Sequence, residues 1–288
     1  MTGTAERITT DRAEFIRESM RKSWGARVNA YIEEAAPNTA AHTRVLLELV
    51  PPDSGESVLD VATGPGVVAL AAALAVGAEG AVVATDLAPE WEESISHQAE
   101  KLGVRHLSFK AMGAEALDLL DNSFDVAYCQ FGLMFVPDPV QALREMRRVL
   151  RPGGRLGVVV WSTPDRAPCF SVFNRHIGPL LPPEPPERQL PTPLSLGTPG
   201  LIERQVTDAG FKDVRVEHRT VDFVSKDADQ IWRFRVENGP PVVRDAVAAL
   251  ASEARERLKQ AVYTDLEAYT RDGAVRLPSE AIYVTAVK

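Results

Sequence analysis

The stretch Val58-Leu59-Asp60-Val61-Ala62-Thr63-Gly64-Pro65-Gly66-Val67-Val68-Ala69 carries the decision about the fold. A short apolar run passes into two glycines and then into an alanine-rich apolar segment, which reads as strand, tight turn and helix. Such a turn sets a helix N-terminus and backbone without side chains beneath a ligand, as nucleotide-like cofactors require. Gly64-x-Gly66-x-x-Ala69 also satisfies the dinucleotide fingerprint G-x-G-x-x-G/A. Asp86 follows 22 residues after Gly64, where an acidic side chain can accept both ribose hydroxyls. On these residues a nicotinamide dinucleotide and another adenosine cofactor both stay open.

Asp60 bears on the choice. It lies inside the first strand, and a carboxylate there faces the mouth of the sheet. A pyrophosphate would be repelled by it, whereas a ligand carrying an ammonium and a sulfonium would not.

Outward from this stretch, strand and helix alternate. Strand-like segments are Ser57–Thr63, Ala81–Asp86, Leu107–Met112, Phe124–Gln130 and Arg155–Ser162, with helix-like segments at Gly66 to Val76, Pro89 to Leu102 and Pro139 to Leu150. Arg151-Pro152-Gly153-Gly154 reads as a turn before the fifth strand. Repeated units of this size predict a parallel sheet covered on both faces, a doubly wound α/β fold. Upstream, Phe15, Ile16, Met20, Trp24, Val28, Tyr31 and Ile32 recur at helical spacing, with Gly25 breaking or bending that helix. Downstream, Leu201–Ala209 reads as a helix, Val214–Phe223 as a strand with Val214, Val216 and Val221 inward, residues 227–271 as largely helical, and Glu280–Val287 as a closing strand. Eight of the 21 prolines fall between Pro179 and Pro199, which predicts a loop, either a connector or a flap over a pocket.

The order of motifs resembles class I S-adenosylmethionine (SAM)-dependent methyltransferases. Asp60-x-x-x-Gly64-x-Gly66 matches the family's first motif, and Thr85 to Glu90 matches its ribose-binding segment. Met112-Gly113-Ala114-Glu115-Ala116-Leu117 resembles the D-A-E-x-L loop, and Asn122 to Val126 the S-F-D-x-V strand. The segments Phe131 to Pro139, Ala142 to Leu150 and Arg151 to Gly154 follow in family order. The resemblance is specific over residues 40–165 and looser beyond, its nearest flavour being the quinone-biosynthesis and natural-product branch. It implies a Rossmann-like, seven-stranded sheet with the last strand antiparallel, and SAM as cofactor. Asp60, Ala62, Gly64, Pro65 and Gly66 would surround the methionine end, Asp86 would hold the ribose and Leu87 would pack on the adenine. Gly113, Ala114 and Glu115 would edge the adenine, with Gln130 and Phe131 near the sulfonium.

Three residues depart from the family pattern. Ala62 replaces a glycine and adds a methyl. Gly113 stands where an Asp commonly bonds the adenine amino group, so that contact is lost or passes to Glu115. Trp91 stands where Met is frequent, either stacking on adenine or filling the groove between helix and sheet. The N-terminal region also lacks the tyrosine-aspartate and asparagine signature of quinone C-methyltransferases.

Composition narrows the partners. With 288 residues, 45% hydrophobic and 25% charged, the chain suits a single globular unit with elaborations. A net charge of −8 disfavours nucleic acid as a partner. Two cysteines, Cys129 and Cys169, provide neither a disulfide framework nor a complete metal site, and no metal is expected. The start of the chain lacks an apolar leader and no run is long enough to span a bilayer, so a cytoplasmic location is expected.

Methyl transfer needs alignment in a dry pocket more than it needs a conspicuous catalytic group. Among His42, His97, His106, His176 and His218, only His176, beside Phe170, Phe173 and Ile177, is a candidate base. Cys129 reads as a buried strand residue in preference to a nucleophile. Trp24, Tyr31, Met134, Phe135, Trp161, Phe170, Phe173 and Trp232 are candidates for an aromatic acceptor pocket, although each suits plain core as well. The expected organisation is an N-terminal helical lid at 1–52, a SAM-binding core at 53–165, a proline-rich insertion at 166–200, and a completion of the sheet with a helical substrate-side elaboration at 201–288. The expected function is methyl transfer to an O, N, S or C atom of a small, largely apolar or aromatic acceptor. The rival readings are a SAM-binding protein with non-methylating chemistry, such as a cyclase or decarboxylase, or with a binding role, and a NAD(P)-dependent reductase.

Overall fold

In the computed structural model, which describes residues 9–288, the chain opens with three helices, α1 (Thr10–Gly25), α2 (Val28–Glu34) and α3 (Ala36–Leu49). The Thr9 side chain caps α1 by accepting from the Arg12 amide, and Pro37 occupies the first turn of α3, where its missing N–H costs nothing. The alternating core then runs β1 (Ser57–Val61), α4 (Val67–Val76), β2 (Ala81–Asp86), α5 (Glu92–Lys101), β3 (Leu107–Ala111), β4 (Phe124–Gln130), α6 (Pro139–Val149) and β5 (Leu150–Trp161). The insertion holds α7 (Pro168–Ile177). The remainder comprises α8 (Leu201–Asp208), β6 (Lys212–Ser225), α9 (Ala228–Trp232), a π-helical turn at Arg233–Glu237, α10 (Pro241–Ala248), α11 (Ser252–Glu267), the two-residue β7 (Thr270–Arg271) and β8 (Ala274–Val287).

The strands form one sheet in the order β3-β2-β1-β4-β5-β8-β6, with β7 paired to β8. Pairing is parallel from β3 through β5, and β8 runs antiparallel to both β5 and β6. This is the doubly wound, Rossmann-like arrangement the motif order implies, and the antiparallel last strand lies between two neighbours. The all-apolar α4 sinks Val68, Ala69, Ala72, Ala73 and Val76 against the sheet, its small residues permitting close approach. The Asp138 side chain caps α6 through the Gln141 amide, and Pro139 starts that helix.

Two expectations change. Arg151-Pro152-Gly153-Gly154 is an irregular part of β5: Leu150 pairs with Phe124, the register slips, and pairing resumes at Arg155 with Val126. Gly153, at φ +79°, absorbs the extra residues. The last strand also begins at Ala274, well before Glu280. Pro278 and two charged residues obscured its first half, which pairs with β6 where β5 has already ended. Val214, Val216 and Val221 are all only half-buried, because β6 is the sheet edge. In the proline-rich segment, the turn Pro186–Arg188 touches α1, while Leu196 is buried and Gly197 passes so close to Ser162 that a Cβ would sit 2.4 Å from its carbonyl oxygen.

Candidate active site

β1, β2 and β4 end together where the strand order reverses direction, the position at which open α/β sheets form their crevice. A cleft partly open to solvent lies there, enclosing about 960 Å³ of space that includes its open mouth. Its floor is Asp60 and Ala62 to Pro65 after β1, Asp86, Leu87 and Trp91 after β2, Met112 to Glu115 after β3, and Gln130 to Gly132 after β4. The N-terminal helices supply the roof through Arg17, Met20, Trp24, Tyr31 and Thr39.

Both floor aspartates are buried. Asp60 accepts from the Thr63 hydroxyl at 2.5 Å and the Ala69 amide at 3.0 Å, which ties β1 to the start of α4. Asp86 accepts from the Gly64 amide at 2.9 Å and the Ala88 amide at 3.0 Å. Burial pushes Asp60 up to about 7 and Asp86 up to about 6, with those hydrogen bonds opposing the shift. Two carboxylates whose charge is suppressed by burial are poised to welcome a cation.

The backbone turns tightly here. Ala62, Gly64, Gly66 and Phe131 all have positive φ, at +54°, +51°, +79° and +56°. A Cβ at Gly64 would meet nothing within 4 Å, so glycine there serves conformation and access rather than packing. Gly66 differs: it does not border the cleft, and its missing Cβ leaves room for Ile95, whose Cγ1 would lie 2.9 Å away. The other eleven candidate cofactor residues, Asp60, Ala62, Gly64, Pro65, Asp86, Leu87, Gly113, Ala114, Glu115, Gln130 and Phe131, all line the cleft.

Glu115 is already engaged. Arg17 of α1 forks onto it, Nε and Nη2 donating at 3.0 and 3.2 Å, and the Asp138 amide adds a longer bond at 3.3 Å. Its carboxylate therefore fastens the roof to the floor. Gln130 is held from above as well, donating to the Thr39 carbonyl at 3.2 Å and bonding the Thr43 hydroxyl. Trp91 lines the cleft and is only 1% exposed, filling the groove with Ala88 and Ile95 in edge contact with Tyr31.

The aromatic candidates divide. Trp24, Tyr31 and Phe135 line the cleft, with Trp24 in edge contact with the other two. Met134, Trp161, Phe170, Phe173 and Trp232 do not; all are buried in the core. Trp161 stacks flat behind Phe131 at 4.2 Å, Phe170 meets Trp161 edge-on, and Trp232 donates to Glu237. For these five the plain-core reading holds.

His176 also lies elsewhere. Its Nε2 meets Asp265 at 2.7 Å beside an Arg175–Asp265 pair, joining α7 to α11 away from the cleft. Cys129 is fully buried and burial pushes its thiol up to about 12, so it is no nucleophile. His42, set aside as a base in the sequence, is buried, bonds the Tyr283 hydroxyl through Nδ1 at 2.6 Å and abuts Phe131 edge-on. Burial lowers it to about 4, which keeps it neutral. Arg17 and Thr39 also escaped the sequence reading, because nothing local announces a contact with a loop about a hundred residues away. Among the described residues, no cluster of three potential metal ligands exists and no helix is long and apolar enough to cross a membrane.

The fold and the crevice are similar to those of class I SAM-dependent methyltransferases. Residues 41–183 match the model of the ubiE/COQ5 methyltransferase family. The ubiquinone/menaquinone biosynthesis C-methyltransferase UbiE of Hahella chejuensis is 44% identical over 132 residues, covering 44% of this chain and 53% of that protein. The chain spans about half the length of the curated relatives it matches. Among solved structures, a putative methyltransferase from Bacillus halodurans has a TM-score of 0.56 at 23% identity, covering 86% of this chain and 99% of that one. The [4+2]-cyclase SpnF has a TM-score of 0.53 at 23% identity over 86% of this chain and 80% of its own. Both likenesses concern the fold.

Proposed function

We propose that this protein transfers the methyl group of SAM to a small, largely apolar or aromatic acceptor. The observation that carries the reading is the pair Asp60 and Asp86, buried at the mouth of the sheet around a turn whose Gly64 has open space where a side chain would be. The cofactor supplies an activated methyl on a sulfonium, so the reaction needs an aligned nucleophile and little else. Asp60 and the Ala62–Pro65 turn receive the methionine end, and Asp86 holds the ribose hydroxyls. Leu87, Trp91 and the Gly113–Glu115 loop flank the adenine. Gln130 and Phe131 border the methyl, with Gln130 positioned by Thr39 and Thr43.

The acceptor enters from the side of Trp24, Tyr31 and Phe135, whose rings exclude water and suit an apolar body. The working parts then divide as a lid at 1–52, whose first eight residues lie outside the described residues, a cofactor core at 53–165, an insertion at 166–200 and a substrate-side completion at 201–288. A net charge of −8 supports a small molecule over nucleic acid, and a cytoplasmic location belongs to the same proposal.

One observation favours a second reading, SAM binding without methyl transfer. The titratable side chains lining the cleft are Arg17, Tyr31, Asp60, Asp86 and Glu115, with no histidine among them. With Asp60 and Asp86 given to the cofactor and Glu115 paired to Arg17, an acceptor that must lose a proton would find no ready base. Calorimetric titration with SAM, S-adenosylhomocysteine (SAH) and NADH, followed by a transfer assay on phenols, quinols and amines, separates the possibilities. Binding of SAM and SAH with SAH formed from a turned-over acceptor supports methyl transfer. Binding without turnover favours the second reading, and binding of NADH alone removes both.

A further inference from the structure

Arg235 sits in the π-helical turn of the substrate-side elaboration, its guanidinium surrounded by rings. The Phe170 centroid is 4.4 Å from its Cζ, and those of Phe223 and Phe234 are each 5.2 Å away. Its Nε is buried without a hydrogen-bond partner. Arg27, in the break between α1 and α2, approaches the same Phe234 ring at 5.9 Å and Trp24 at 5.6 Å. Arg27 Nε donates to the Asn238 carbonyl at 2.9 Å, which fastens it to the end of the π-turn. Gly239 closes that turn so tightly that a Cβ would lie 2.2 Å from the Arg235 carbonyl oxygen.

Among the described residues neither guanidinium meets a carboxylate. Desolvation is the first cause lowering both pKa values, each arginine lies near the Tyr31 phenol, and the Arg235 charge also adds to the shift at Arg27. This is unexpected in a chain with 40 acidic and 32 basic residues, where an acidic partner is easily found. Cation–π contact and the neighbouring Cys169 thiol return part of the desolvation cost at Arg235, but its Nε stays without a partner among the described residues. π-turns also occur preferentially at functional sites.

Tyr31 joins the cluster to the cleft. Tyr31 lines the cleft, and its ring centroid lies 6.4 Å from that of Phe234. On the far wall, Phe131 borders the cleft, Trp161 stacks behind it and Phe170 follows. The arginines therefore stand one ring beyond the acceptor side.

We infer that Arg235 and Arg27 form an oxyanion-recognition site for the acceptor, which is an aromatic-bodied carboxylic acid whose charged end lies between Tyr31 and the π-turn. The inference rests on the methyltransferase reading and names its substrate class. The acid's flat body lies in the cleft against Trp24 and Tyr31, and its carboxylate reaches past the Tyr31 ring to Arg235, whose Nε is without a partner among the described residues. A carboxylate offers two planar acceptors to a guanidinium fork, so discrimination against a neutral isostere is strong.

The probes are 2-naphthoate and its neutral amide, 2-naphthamide, titrated into the full chain with and without saturating SAH. The naphthoate is expected to bind at least about tenfold more tightly than the amide, as one charge-assisted contact implies. Arg235→Met keeps an apolar stem among the rings and is expected to abolish that preference without moving the affinity for SAH. Arg27→Gln is a second variant, expected to reduce the preference should Arg235→Met fail to fold. Equal affinity for the two probes, binding of neither, or an unchanged preference in a folded variant overturns the oxyanion site. The SAH titration reports the cofactor reading separately, and the probes without SAH decide the oxyanion site even if that reading falls.

Discussion

The Asp86 carboxylate accepts the Gly64 amide at 2.9 Å, linking the end of β2 to the turn after β1 across 22 residues of chain. One hydrogen bond therefore couples the proposed ribose-binding residue to the glycine that opens the cleft. Replacing Asp86→Ala removes the ribose acceptor and frees the turn together. Loss of a charge-assisted contact of about 1.5–3 kcal/mol predicts roughly 10- to 100-fold weaker SAH binding. Calorimetry measures it, and unchanged affinity would remove Asp86 from the site.

The same two carboxylates predict a pH dependence. Asp60 and Asp86 are raised by burial to about 7 and about 6. A carboxyl raised above its unfolded value favours the folded state while protonated. Its contribution is full below the ordinary carboxylate range and is lost as pH rises through the folded pKa. The ligand-free protein should lose that contribution between about pH 4 and 7. Cationic SAM favours the ionised carboxylates, so its stabilising effect should grow over the upper part of that window. Melting temperatures with SAM and with uncharged-sulfur SAH at pH 5.5 and 8 test this. A SAM increment that does not exceed the SAH increment more at pH 8 would refute it.

Gly132 is required by Ala62. A Cβ at 132 would lie 2.4 Å from the Ala62 Cβ and 3.3 Å from Cys129 Sγ, and Ala62 is itself left-handed at φ +54°. Gly132→Ala should destabilise by about 1–3 kcal/mol through overpacking. Ala62→Gly removes both the facing methyl and the left-handed alanine, so adding it should restore part of the loss. Urea unfolding of the two single variants and the double variant reads the coupling, which strict additivity would exclude.

Arg17 and Glu115 fasten α1 over the cleft, with side chains 38% and 8% exposed. The half-exposed arginine is screened by solvent, so the pair contributes modestly, on the order of 1 kcal/mol. Arg17→Ala should therefore speed SAH release about two- to fivefold with little effect on unfolding. Stopped-flow displacement measures the rate; no change would mean that α1 does not gate the cleft.

His176 joins α7 to α11 through Asp265 and does not border the cleft. His176→Ala should leave methyl transfer within about twofold of the wild-type rate, as expected for a change remote from the site. A loss of more than tenfold in a folded variant would return His176 to the chemistry.

The strand–turn–helix at 58–69 was legible because its signals are local: periodicity, glycine, and an acid at a set distance. The parallel core followed from the same local rules. So did most of the cleft floor, since consecutive residues after parallel strands must emerge at one edge. β8 was half-hidden because Pro278 and nearby charges contradict strand propensity, and pairing with β6 overrides it.

Tertiary structure alone decided which contacts fasten the N-terminal roof to the floor and which aromatics reach the cleft. Arg17 meets Glu115 across 98 positions, Thr39 meets Gln130 across 91, and no sequence period records such distances. Trp24 and Trp161 have the same chemistry, yet one borders the cleft and the other lies behind Phe131. Backbone hydrogen bonding and patterning act over a few residues and could be read from the chain. Side-chain contacts between distant elements depend on how whole layers pack, and only the assembled fold sets them.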